Sequence, residues 1–89
     1  MNKTVVDDSE LGTLLICSVR YAMGRMTYVV DDVCNLVQLY AGALSKKDRD
    51  VILHDVNEEI KRATREGRLL GMQSDHNRWC ALLQFLGDI

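Results

Sequence analysis

The chain has 89 residues, just under the roughly 100–200 of a typical domain, so it can hold one modest core and no second one. Apolar residues make up 47% and charged residues 27%, with six glycines and no proline, which excludes a disordered chain, a collagen and a disulfide mini-protein. Eleven basic against thirteen acidic side chains give a net charge of −2, so no overall basic field draws in nucleic acid. No apolar run reaches the roughly 18 residues that a membrane span needs.

The chain therefore reads as a single domain over 1–89, with residues 1–8 expected to be a flexible N-terminal segment. That segment turns acidic at Asp7-Asp8 and does not resemble a signal peptide. Cys17, Cys34 and Cys80 are odd in number and form no CxxC, which suits neither a disulfide framework nor a zinc site. Each adjoins an apolar residue, so core packing is the expectation for all three, and a cytoplasmic setting follows.

The first helix is expected to be capped by Ser9 and to run to Gly24, closing there in a left-handed turn. Leu11, Leu14, Leu15, Ser18 and Ala22 form its apolar stripe. Gly12 costs this helix up to about 1 kcal/mol relative to alanine, which points to a close neighbour at that position. Thr27 is the candidate N-cap of the second helix, with Asp31 and Asp32 favourable to its dipole. Val30, Val33, Val37 and Tyr40 step at helical spacing, and Val29, Leu36 and Leu39 widen the stripe. Met26–Val30 also has strand character, but no second strand candidate exists to pair with it, so a helix is favoured.

Ser45-Lys46-Lys47-Asp48 fits a capping box and opens a third helix to about Glu66. Ile52, Val56, Ile60 and Ala63 line its inner face, Glu58 and Arg62 are spaced for a surface pair, and Gly67 stops it. Ser74 or Asp75 is expected to cap a fourth helix in which Trp79, Leu82, Leu83 and Leu86 share a face, ending at Gly87. The fold class is all-α, a compact bundle of about four helices. Apolar residues on more than one face of the second helix predict a homo-oligomer.

No enzyme constellation is present. His54 falls on a polar helix side and His76 in a helix's first turn, both expected as solvated surface histidines without a nucleophile to serve. The acidic pairs Asp7/Asp8, Asp31/Asp32 and Glu58/Glu59 are adjacent in sequence, hence about 100° apart on a helix, and do not converge on a metal. No cofactor is expected. Arg62, Arg65 and Arg68 recur at i, i+3, i+6, which suits either a helix C-terminus or an anion pocket. The acids Asp48, Asp50, Asp55, Glu58 and Glu59 offer a face that suits either solvent or a basic partner.

The segment from Cys17 to Val33 is the most distinctive. It places Arg20, Tyr21, Gly24, Arg25, Thr27 and Tyr28 in the run R-Y-x-x-G-R-x-T-Y. Arginine forks, free helix N–H groups and tyrosines around one corner suit an anion, with Tyr21 and Tyr28 placed to stack on a base; the plainer reading is an inter-helix turn held by Arg25 and Asp31. This run resembles small bacteriophage and prophage proteins. Among them it is similar to the opening region of the phage Thoeris anti-defence proteins, which act as sponges for cyclic nucleotide immune signals. The resemblance implies a non-catalytic counter-defence binder in the host cell cytoplasm. Local chemistry puts the ligand on Arg20, Tyr21, Arg25, Thr27 and Tyr28, with Arg65 and Arg68. Two alternatives stay open: a phage inhibitor that contacts a host defence complex, in the manner of an anti-CRISPR, and a structural phage accessory.

Overall fold

The structure, a computed structural model, describes residues 8–24 and 29–89. Four helices carry it: α1 (Asp8–Gly24), α2 (Val30–Tyr40), α3 (Lys46–Arg65) and α4 (Gln73–Asp88), with a short 3₁₀ turn at Ala41–Ala43 after α2. No strand occurs among the described residues, so the all-helical expectation holds. The strand alternative falls mostly on residues 26–28, outside the described residues, as do Arg25, Thr27 and Tyr28. Val30 is helical, with Val29 at the N-cap position and no side-chain cap there.

α1 packs on α2 and α3, and α4 packs on the same two helices from the far side. A thickness of 17 Å matches two layers of helices, given interaxial distances of about 8–10 Å. The core between them is Leu15, Val19 and Ala22 of α1, Val30, Val33, Cys34 and Val37 of α2, Ile52, Val56 and Ala63 of α3, and Trp79, Leu82 and Leu86 of α4. Ala41, Leu44 and Leu70 close it from the connections, and no polar residue is buried among the described ones.

The third and fourth helices follow their expected faces, with Ile60 and Leu83 half-buried at the edge. The first follows in part: Leu15 and Ala22 are buried and Leu11 half-buried as expected, but Val19 completes the line, while Leu14 is exposed and Ser18 donates its hydroxyl to the Leu14 carbonyl at 2.8 Å. The line is turned by about half a residue step from the expected one because Leu11–Val19 carries no charge to set the phase. Cysteine placement shifts for the same reason: Cys34 is buried, but Cys17 and Cys80 are exposed, since an apolar neighbour in sequence lies about 100° away on a helix.

Helix ends divide in the same way. Ser45 caps α3, accepting the Asp48 N–H at 3.1 Å, and Gly67 ends it with φ of +71°. α1 is described to Gly24, the expected end, but Gly24 lacks the expected left-handed conformation; Gly87 is helical, and Ser9 lies inside α1. α4 starts at Gln73, earlier than a Ser74 or Asp75 cap requires; Asp75 acts from the third position, accepting the Met72 N–H at 3.2 Å. His76 is a half-buried part of that joint, its Nδ1 accepting the Leu70 N–H at 3.0 Å, and so anchors the loop instead of facing solvent. Two further links appear only in three dimensions. Arg78 of α4 reaches Asn35 at 2.9 Å and Gln38 of α2, tying the two helices together. At the α1–α3 contact, a Cβ added to Gly12 would stand 2.0 Å from Asp48 Oδ2, so the glycine does make room for a close neighbour.

Gly12→Ala is expected to stabilise by less than about 1 kcal/mol in an Asp48→Ala background, where the gain in helix propensity works against a close Cβ–Cβ contact of 3.3 Å. In the natural background the carboxylate must swing aside, and most of that gain is lost. Urea denaturation followed by the fluorescence of Trp79 measures both values.

Candidate functional site

The seam between α1 and α3 forms a groove with two connected parts. One, of about 650 Å³, is lined by Arg20, Lys46, Lys47, Asp50, Val51, His54 and Asp55. The other, of about 470 Å³, continues from the shared Arg20, His54 and Asp55 to Met23, Gly24, Glu58, Glu59 and Arg62. Residues 47, 50, 54 and 58 recur at steps of three and four, so one stripe of α3 faces this groove throughout.

Arg20 sits at the join. Its Nε donates to Asp55 Oδ2 at 2.7 Å, and that bond, reinforced by the carboxylate's charge, raises its pKa above the ordinary arginine value. The guanidinium is therefore always charged, and it stays well exposed. An exposed pair of this kind adds little to stability. The bond to Asp55 uses Nε, which leaves the two Nη groups, donors suited to carboxylate or phosphate, outside that bond on a well-exposed side chain.

Charge is unevenly divided along the groove. Its first part sets Arg20, Lys46 and Lys47 against Asp50 and Asp55. The second sets Arg20 and Arg62 against Asp55, Glu58 and Glu59. Lys46 and Lys47 stand in the first turn of α3, where the helix dipole is positive and cations are disfavoured by a few tenths of a kcal/mol. Lys46 is offset by Asp50 at 2.7 Å. Further along, Arg62 meets Glu59 at 3.0 Å and Lys61 meets Glu58 at 3.6 Å, so the expected Glu58–Arg62 pair gives way to two pairs of shorter spacing.

The sequence-predicted site residues do not all gather here. Arg20 lines the groove, but Tyr21, one step on, is turned to the opposite flank of α1, beside Leu14, Cys17, Ser18, Val29 and Val33. Arg68 is bound to Glu66 at 2.7 Å beyond the end of α3, and neither it nor Arg65 lines the groove with Arg20. Arg62 does. Arg25, Thr27 and Tyr28 lie outside the described residues. Lys46, Lys47 and His54 are the additions that sequence reasoning missed; the stripe spacing on α3 could have found them, but nothing in the sequence shows that this stripe faces Arg20.

No group of three or more His, Cys, Asp or Glu side chains able to hold a metal occurs among the described residues. Nor is any described helix long and apolar enough to cross a membrane. Comparison with protein-family models, with curated proteins and with solved structures finds no match.

Burial pushes the Cys34 thiol up to about 12, with Arg78 and Asp31 adding smaller opposing effects. The reactive thiolate is therefore scarce at neutral pH. In dilute native protein, iodoacetamide is expected to label Cys17 and Cys80 readily and Cys34 only on unfolding, as mass spectrometry of the labelled peptides would record. Rapid native labelling of Cys34 would contradict the α2–α4 packing.

Proposed function

We propose that the protein is a non-catalytic binder of a phosphorylated small molecule, held in the α1–α3 groove. The observation that carries this reading is Arg20, whose carboxylate partner takes Nε alone while the rest of a charged, exposed guanidinium overlooks the groove beside Lys46 and Lys47. The groove is open to one side and offers about 650 Å³ of space, room to seat a small ligand against its charged wall. An anion there would also offset Lys47, which opposes the α3 dipole beside a Lys46 already paired with Asp50. The resemblance of the 17–33 segment narrows the ligand to a cyclic nucleotide immune signal and the role to phage counter-defence by sequestration.

Inhibition through an acidic face on α3 has less support. That helix carries six basic residues against five acidic ones. Asp50, Asp55, Glu58 and Glu59 are each met by a cation of this chain.

Thermal shift against a panel of cyclic di- and trinucleotides tests the proposal. Ligand at 100 times its Kd adds about 2.7 kcal/mol, which for a domain this small raises Tm by roughly 10 °C or more. Arg20→Ala and the double change Lys46→Ala with Lys47→Ala are expected to abolish the shift, while Arg65→Ala and Arg68→Ala keep it. No shift with any member of the panel overturns the reading.

A further inference from the structure

We infer that the flank formed by α1 and α2 is where a second copy of this chain docks, making a symmetric dimer. The inference does not depend on the ligand reading, because this surface lies on the opposite side of α1 from the groove.

The apolar surface is there. Leu14 and Tyr21 of α1 are 54% and 52% exposed, and Leu36, Leu39 and Tyr40 of α2 are 43%, 70% and 41% exposed. Leu14, Cys17 and Tyr21 share one side of α1, and Val29, Val33, Leu36 and Tyr40 step by four, three and four along the facing side of α2. Between the two helices runs a shallow cleft of about 320 Å³ lined by Leu14, Cys17, Ser18, Tyr21, Val29 and Val33. The five large side chains expose about 100 Å² each, hence about 500 Å² per copy and about 1,000 Å² over a pair, the threshold for a specific interface. Monomers leave patches of about 300–600 Å² exposed, so area alone does not decide the matter.

Charge decides it. Residues 33–45 contain no Asp, Glu, Lys or Arg, and neither do residues 11–19. By contrast, α3 carries 11 charged residues among its 20. Depletion of charge with retained tyrosine is the composition of an interface centre rather than of solvated surface. It also selects the occupant. In a two-fold dimer the patch meets itself, so any charge near the axis would face its own sign. A charge-free centre meets its copy without that repulsion. The charges of α2 are confined to one end, Asp31 and Asp32 in its first turn, away from the centre of the patch.

Sedimentation equilibrium of the full chain across a range of concentrations tests this. The dimer predicts a mass moving from 10.1 kDa in dilute solution to twice that value when concentrated. Leu39→Lys, at a position so exposed that folding does not depend on it, is expected to weaken association at least tenfold, and Leu36→Asp more, with helical circular dichroism unchanged. Alkylation gives an independent reading: Cys17 should become slower to label as concentration rises, while Cys80 does not. A mass of 10.1 kDa at every concentration would overturn the inference and leave the face to another protein or to solvent. So would a dimer that both substitutions leave intact with Cys17 still freely labelled.

Discussion

Each helix of so small a chain can bury one line of side chains, and on α1 that line is Leu15, Val19 and Ala22. Because successive residues turn by about 100°, fixing this line fixes the direction of everything else on the helix. Arg20 is sent to the α3 side and Tyr21 to the α2 side, although they are neighbours in sequence. The molecule thereby acquires two surfaces of opposite character with α1 as the wall between them. One is a groove of alternating charges, and the other is an apolar flank whose charges among the described residues sit in the first turn of α2.

The groove follows from how α3 is built. Its buried residues Ile52, Val56 and Ala63 hold one side against the core, so the many charges on the remaining turns must share the outer surface and the seam with α1. Gly12 lets Asp48 approach α1 closely at one end of that seam, and Arg20 bridges to Asp55 further along. Mutual pairing neutralises most of these groups, leaving Lys47 and the side of Arg20 away from Asp55 as the polar features best placed to meet something else.

How much of this was legible in the sequence depends on where a polar face existed to set the phase. α3 sets Ile52, Val56, Ile60 and Ala63 at helical spacing against charged residues on its other side, and its Ser45 cap and Gly67 stop read directly. α1 offers nine uncharged residues from Leu11 to Val19, so a periodic apolar stripe could be drawn through either Leu14 or Val19. Choosing the first places Leu14 inside, whereas the corner expected to join Arg20 and Tyr21 rests on reading Gly24 as a left-handed turn. Gly24 and Gly87 illustrate a different limit: glycine permits a left-handed end but does not require one. The role of His76, and the reach of Arg78 to Asn35 and Gln38, depend on chain segments brought together by packing and leave no local signal. The surplus of apolar side chains on α2 was legible from composition; that it joins Leu14 and Tyr21 in one flank was not.

The helical phase of α1 is therefore the point on which both surfaces stand, and hydroxyl-radical footprinting of the dilute native protein reads it residue by residue. The account predicts fast oxidation at Leu14 and Tyr21 with slow oxidation at Leu15 and Val19, once intrinsic reactivities are divided out. Protection of Leu14 together with labelling of Val19 would rotate the helix, merge the two surfaces into one and contradict the account.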